Sequence, residues 1–127
     1  MQTVVIPKAD WRIKLDQFSS THEGWRVSVD VLTTDLGAQP EIVDLPLRGV
    51  TAEVGARESA ITIAAGSRGG DQITHTIHRP MRVQLEQNDA GADVALEIAS
   101  SEDEKAILRI LTPALTETVD GVPREFP

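Results

Sequence analysis

The chain is expected to adopt an α+β, mainly β fold: an antiparallel curved sheet or small barrel of about seven strands, with one N-terminal helix. Three observations predict it. From Trp25 onward apolar and polar residues alternate with a period of two. Ahead of that stretch, Trp11, Leu15, Phe18 and His22 fall at i, i+4, i+7 and i+11, a single helical stripe. Glycine- and asparagine-rich turn signals then separate the alternating runs at short intervals, the pattern of sequential antiparallel strands.

The elements follow in order. Residues 2–6 are a short β-branched run closed by Pro7 and read as a strand. The helix near 10–22 has Asp10 as its expected N-cap and Gly24 as its expected left-handed stop. It should cover one side or end of the sheet. Trp25, Val27, Val29 and Val31 then alternate with Arg26, Ser28 and Asp30, as in a half-buried strand. Residues 34–46 carry Gly37, Pro40 and Pro46 without a sustained period and read as an irregular connection.

Beyond it, Val50, Ala52 and Val54 point inward on one strand, and Ile61, Ile63 and Ala65 on the next. Gly66-Ser67-Arg68-Gly69-Gly70-Asp71 reads as a hairpin reversal. The following strand is centred on His75. Next comes one with Met81, Val83 and Leu85 inward, turned at Asn88-Asp89-Ala90-Gly91. Val94, Leu96 and Ile98 mark a further strand. Residues 106–112 fit either a strand or a helix by period alone, and Pro113 decides for strand because it interrupts the helical stripe. Residues 1–112 therefore read as one domain and residues 113–127 as an extended tail.

Composition narrows the function classes. Of 127 residues, 40% are hydrophobic, enough for a core, and only 3% aromatic, so that core must be aliphatic. Few aromatics also means few stacking platforms for single-stranded nucleic acid. Twenty acidic against 12 basic residues leave a formal charge of −8, which repels phosphate backbones and anionic lipids. The expected partners are an unknown protein or small ligand, with no nucleic acid and no membrane. No cysteine is present, which removes disulfides, thiolate catalysis and thiolate metal sites. No apolar run reaches the roughly 20 residues needed to cross a bilayer, and the first residues lack a secretory pattern. The default location is the cytoplasm.

The candidate site residues are His75, Trp25, Trp11 and His22. In Ile73-Thr74-His75-Thr76-Ile77 the histidine shares a strand face with two isoleucines, so its ring nitrogens need partners within the protein. A pocket inside the curved sheet would use His75 as hydrogen-bonding or acid–base group, Trp25 as a wall and Trp11 as a cover. The plainer reading makes His75 a hydrogen-bonded strut. His75 and His78 are three apart, which sends them to opposite faces of a strand, so they cannot chelate one ion. His22 is the other candidate, either meeting His75 across the core or interacting with the C-terminal end of its own helix. No metal site and no cofactor is expected. A Gly-x-Ser-x-Gly elbow is absent, Thr74 and Thr76 point away from His75, and the Gly66–Asp71 loop lacks the lysine of a phosphate loop.

Four stretches, taken in order, resemble a known family. They are Phe18-Ser19-Ser20-Thr21-His22-Glu23-Gly24-Trp25, Asp44-Leu45-Pro46-Leu47-Arg48-Gly49-Val50, Thr74-His75-Thr76-Ile77 and Gly91-Ala92-Asp93-Val94-Ala95-Leu96-Glu97-Ile98. The chain is similar to the short bacterial proteins grouped as domain of unknown function 5335. The resemblance runs from about residue 7 to residue 110 and leaves the tail outside. It implies a compact domain, supplies no catalytic residues, and adds weight to His22, Trp25 and His75. The function expected from sequence is a non-enzymatic protein- or small-ligand-binding module. The alternative is a small-molecule-binding or catalytic pocket using His75.

Overall fold

The computed structural model describes residues 1–67 and 69–112. Its elements are β1 (Gln2–Ile6), α1 (Trp11–His22), β2 (Arg26–Thr33), β3 (Gly37–Val54), β4 (Ser59–Gly66), β5 (Gln72–His78), β6 (Pro80–Gln87), β7 (Asp93–Ser100) and β8 (Glu104–Thr112). The strands form one antiparallel sheet in the order β1-β6-β7-β8-β2-β3-β4-β5. The sheet is not closed, since β1 and β5 remain as edges, so the curved sheet is realised and the barrel is not. There are eight strands rather than about seven, and the ambiguous run 106–112 is the last of them. Among the described residues, no helix is long and apolar enough to cross a membrane. The expected tail, residues 113–127, lies outside the described residues, as does Arg68 in the β4–β5 turn.

The helical stripe is the one the spacing predicts: Trp11, Leu15, Phe18 and His22 are the buried residues of α1. Its entrance differs from expectation. Asp10 makes no side-chain cap bond. Instead Pro7, whose fixed φ suits the start of a helical turn, leads into a 3-10 turn over Lys8–Asp10, and the Asp10 amide donates to the Pro7 carbonyl at 2.9 Å. Gly24 does adopt the left-handed conformation, with φ of 83°.

Residues 34–46 are not an irregular connection. After a short turn, β3 runs 18 residues, far beyond the usual strand length, and changes partner midway. Residues 37–46 pair with β2, and residues 47–54 pair with β4. Each half is therefore bonded to a strand on one side only. That is why Pro40 is tolerated: a proline without an N–H can sit where one edge of the strand makes no ladder.

Register shifts between Val27 and Val29, and again between Val29 and Asp30, insert extra β3 residues and bend the strand. The first bulge puts Asp44 at φ of 52°. Arg26 Nε donates to its carboxylate at 2.6 Å, and its amide donates to the Ser28 hydroxyl at 3.0 Å. A similar shift between Pro80 and Arg82 takes Met81 out of the inward face. Met81 is exposed, against the expectation from alternation, while Val83 is fully buried.

Helix α1 covers the open edge of β3 that β2 leaves behind. The Val50 amide donates to Ser19 Oγ at 2.7 Å, and the same hydroxyl lies 2.8 Å from the Leu15 carbonyl and 2.9 Å from that of Val50. A backbone group that would otherwise be stranded is thus satisfied by the helix. The core beneath is aliphatic as expected, with Val27, Val29, Ile42, Leu47, Ile61, Ile63, Ile77, Leu96, Ile98 and Leu108 fully or almost fully buried. Each such side chain contributes roughly 1.5–3 kcal/mol of transfer free energy, so no metal or disulfide is needed to hold the fold.

Candidate functional site

The four sequence candidates separate into three places. Trp11 is 2% exposed, and its indole N–H donates to the carbonyl of Ile6 at 2.9 Å, fastening the start of α1 to the end of β1. Lys8 Nζ lies 5.9 Å from its ring centroid, within reach of a cation–π attraction. The ring is a structural pin between two elements.

His75 lies on edge strand β5, 19% exposed, between two carboxylates. Its Nε2 is 2.8 Å from Glu104 Oε2 on β8, and its Nδ1 is 3.9 Å from Glu41 Oε1 on the bulged part of β3. The two carboxylates approach opposite ring nitrogens, so they do not converge on a single ion. His78 is exposed, on the other face. On the shared face of β5, burial falls from Ile77 at 0% through His75 to Ile73 at 38% exposed, so the histidine sits at the rim. It bridges β5 to strands that are not its neighbours in the sheet. Replacing His75 with alanine is expected to cost about 1 kcal/mol through this bridge. Chemical denaturation checks it, with the Glu104→Gln variant expected to lose a similar amount.

His22 and Trp25 do meet, with ring centroids 4.8 Å apart in an edge-to-face arrangement, and the Phe18 ring lies tilted against His22 at 4.4 Å. His22 is 4% exposed, and its partners (Phe18, Trp25 and Asp93) are not those of His75, which are Glu41 and Glu104. The His22 Nδ1 is 2.8 Å from the Phe18 carbonyl, one turn earlier on the same helix. Its Nε2 points to Asp93 Oδ2 at 3.8 Å, beyond hydrogen-bond length. The other Asp93 oxygen accepts from Gln87 Nε2 at 2.8 Å.

Asp93 connects this buried group to a cleft of about 450 Å³ between α1 and strands β1, β6 and β7. Val4, Ile6, Phe18 and Leu85 make its apolar walls. Lys14, Gln17 and Thr21 border it from the helix, and Gln87 and Asp93 from the sheet. The helix supplies this lining because residues 14, 17, 18 and 21 recur at i, i+3, i+4 and i+7, a face adjoining the buried stripe. The sheet contribution exists because β1 pairs with β6, setting Val4 opposite Leu85. The sequence reading did not single out Asp93, Lys14 or Gln87. The only advance signal was the helical spacing of Lys14, Gln17 and Thr21, which equally describes a wet helix face. Among the described residues, no group of three or more His, Asp or Glu side chains is arranged to hold a metal ion.

The chain matches no curated protein and no solved structure. A family model does match, over residues 2–119, so the similarity extends past residue 110 and into the tail that the sequence reading left outside it. That span covers nearly the whole chain, helix, strands and cleft together: the protein belongs to the family of unknown function DUF5335.

Proposed function

We propose that this protein is a non-enzymatic binding module that holds a small amphipathic ligand in the cleft between α1 and strands β1, β6 and β7. The observation that carries the reading is the composition of the cleft. Its volume of about 450 Å³ suits a small molecule. It combines apolar walls with a few polar groups gathered on the helix and at Asp93, the pattern by which pockets pair affinity with orientation. Of the four sequence candidates, His22 adjoins this site through Asp93, and Trp25 packs on His22. The His75 cluster supports a bracing role, because its nearest groups are the protein's own carboxylates. The acidic balance of the chain further supports work away from nucleic acid and membrane surfaces.

The test uses anilinonaphthalene sulfonate, an amphipathic fluorescent probe, on the folded protein. Saturable emission with one site per chain is expected. Val4 lies on the cleft wall and is 39% exposed, so Val4→Trp should fill the cleft without entering the core. That variant should bind the probe about tenfold more weakly, a change of roughly 1.4 kcal/mol. Absence of saturable binding, or equal binding by the variant, would sink the proposal.

A further inference from the structure

We infer that residues 113–119 of this chain lie along the cleft between α1 and strands β1, β6 and β7, so that a ligand enters by displacing them; the displacement rests on the cleft being a ligand site. Sheet topology leads there. Strand β8 ends at Thr112 opposite Arg26, and β7 runs antiparallel to it, so the chain leaves the sheet where β7 begins and α1 ends. Pairing with β2 stops at that point. The Trp25 amide already donates to the His22 carbonyl at 2.9 Å, and the Trp25 carbonyl already accepts from the Leu47 amide at 2.8 Å. Pro113 also brings no N–H to extend a ladder. The corner at which the chain departs carries Thr21, Gln87 and Asp93, the residues at one end of the cleft.

Reach, polarity and charge then agree. Lys14 precedes Thr21 by seven residues on the helix, about 10 Å along the axis, a distance that about three extended residues cover. Ala114 placed beside Thr21 thus brings Glu117 to Lys14, the one cation among the described residues that line the cleft. The residues ahead of it, Pro113-Ala114-Leu115-Thr116, are uncharged and pass Asp93 without repulsion. In an extended segment Leu115, Glu117 and Val119 share one side. Two apolar side chains therefore flank the carboxylate and meet the walls made by Phe18, Leu85 and Ile6. The family match reaches residue 119, so it takes in this segment together with the strands that line the cleft. A segment tethered at the mouth needs little intrinsic affinity, because its effective concentration is on the order of millimolar.

Nuclear magnetic resonance on the full chain tests the inference directly. Nuclear Overhauser cross-peaks are expected between the methyl groups of Leu115 and Val119 and those of Val4, Ile6 and Leu85. They should vanish in Val4→Trp, which fills the cleft, and in the double variant Leu115→Asn/Val119→Asn. The double variant should also bind anilinonaphthalene sulfonate about tenfold more tightly, as when a segment that closes the site about nine-tenths of the time is released. Glu117→Gln, which removes one exposed ion pair, should tighten binding about threefold. Absence of the cross-peaks overturns the inference, and cross-peaks found only between isotopically distinct chains overturn it in favour of an exchange between two copies. Equal probe binding by the double variant overturns the displacement. If cross-peaks appear and the probe binds neither protein, the ligand reading fails and the docked segment stands. If the probe binds, Val4→Trp weakens it and no cross-peak appears, the segment lies elsewhere and the cleft stands as a ligand site.

Discussion

Replacing Trp11 with alanine should lower the unfolding free energy by about 3–5 kcal/mol, the range for emptying a large aromatic site. Against a typical domain stability of about 5–15 kcal/mol, that is a severe loss. Two effects combine. Trp11 is 2% exposed and heads the buried stripe of α1, so alanine leaves a cavity under the helix. Its indole also donates to the Ile6 carbonyl, which loses its partner at the end of β1. Trp11→Phe separates the two, since phenylalanine restores most of the bulk and none of the hydrogen bond; a smaller loss of about 1–2 kcal/mol is expected. Urea denaturation followed by circular dichroism measures both. If Trp11→Ala costs less than about 1 kcal/mol, the pin between β1 and α1 is not what holds that end of the molecule.

Gly66→Ala is the second large effect. Gly66 closes β4 at φ of 141°, a conformation that side chains rarely adopt, and it pairs with Gln72 across the hairpin. A methyl group there would lie 2.4 Å from the Asp71 carbonyl oxygen and 2.8 Å from the Gln72 Cα. Both contacts are backbone, so relief requires shifting the hairpin itself. The expected cost is about 3 kcal/mol, from strain plus overlap. Gly69 makes the control: its φ is 79°, but among the described residues a methyl group there meets nothing within 4 Å. Gly69→Ala should cost about 1 kcal/mol, the conformational part alone. Equal melting temperatures for the two variants would contradict the steric account.

The contrast between what the residues announce and what they conceal has a physical origin in each case. The stripe at positions 11, 15, 18 and 22 was legible because one helix buries one face against one surface, and only local spacing is needed to see it. The strands after Trp25 were legible for the same reason, including the ambiguous final run. Residues 34–46 were not. Their prolines and glycine read as breaks, yet a strand bonded on one side absorbs them, and each bulge shifts the inward set by one so that no period survives. Met81 was misplaced by the same kind of shift.

At the site, alternation indicates which face His75 takes but not how far it lies from the sheet's centre. Strand order decides that, and β5 is an edge. His22 was legible as a candidate, whereas Asp93 was not, because its approach depends on β6 and β7 folding back beneath a helix formed far earlier in the chain. Contacts of that kind leave no periodic trace.

The pairing of β1 with β6 also has a bearing on how the molecule comes into being. As the chain is made, β1 finds its sheet neighbour only when residues 80–87 have followed, and Asp93 comes later still. Until then Val4 and Leu85 belong to separate stretches of unfinished polypeptide. Pairings so distant in sequence slow folding, because a large loop must close before any contact repays it. The cleft between α1 and these strands should therefore be among the last features a newly made molecule acquires, and a molecule cut short before β7 should lack it.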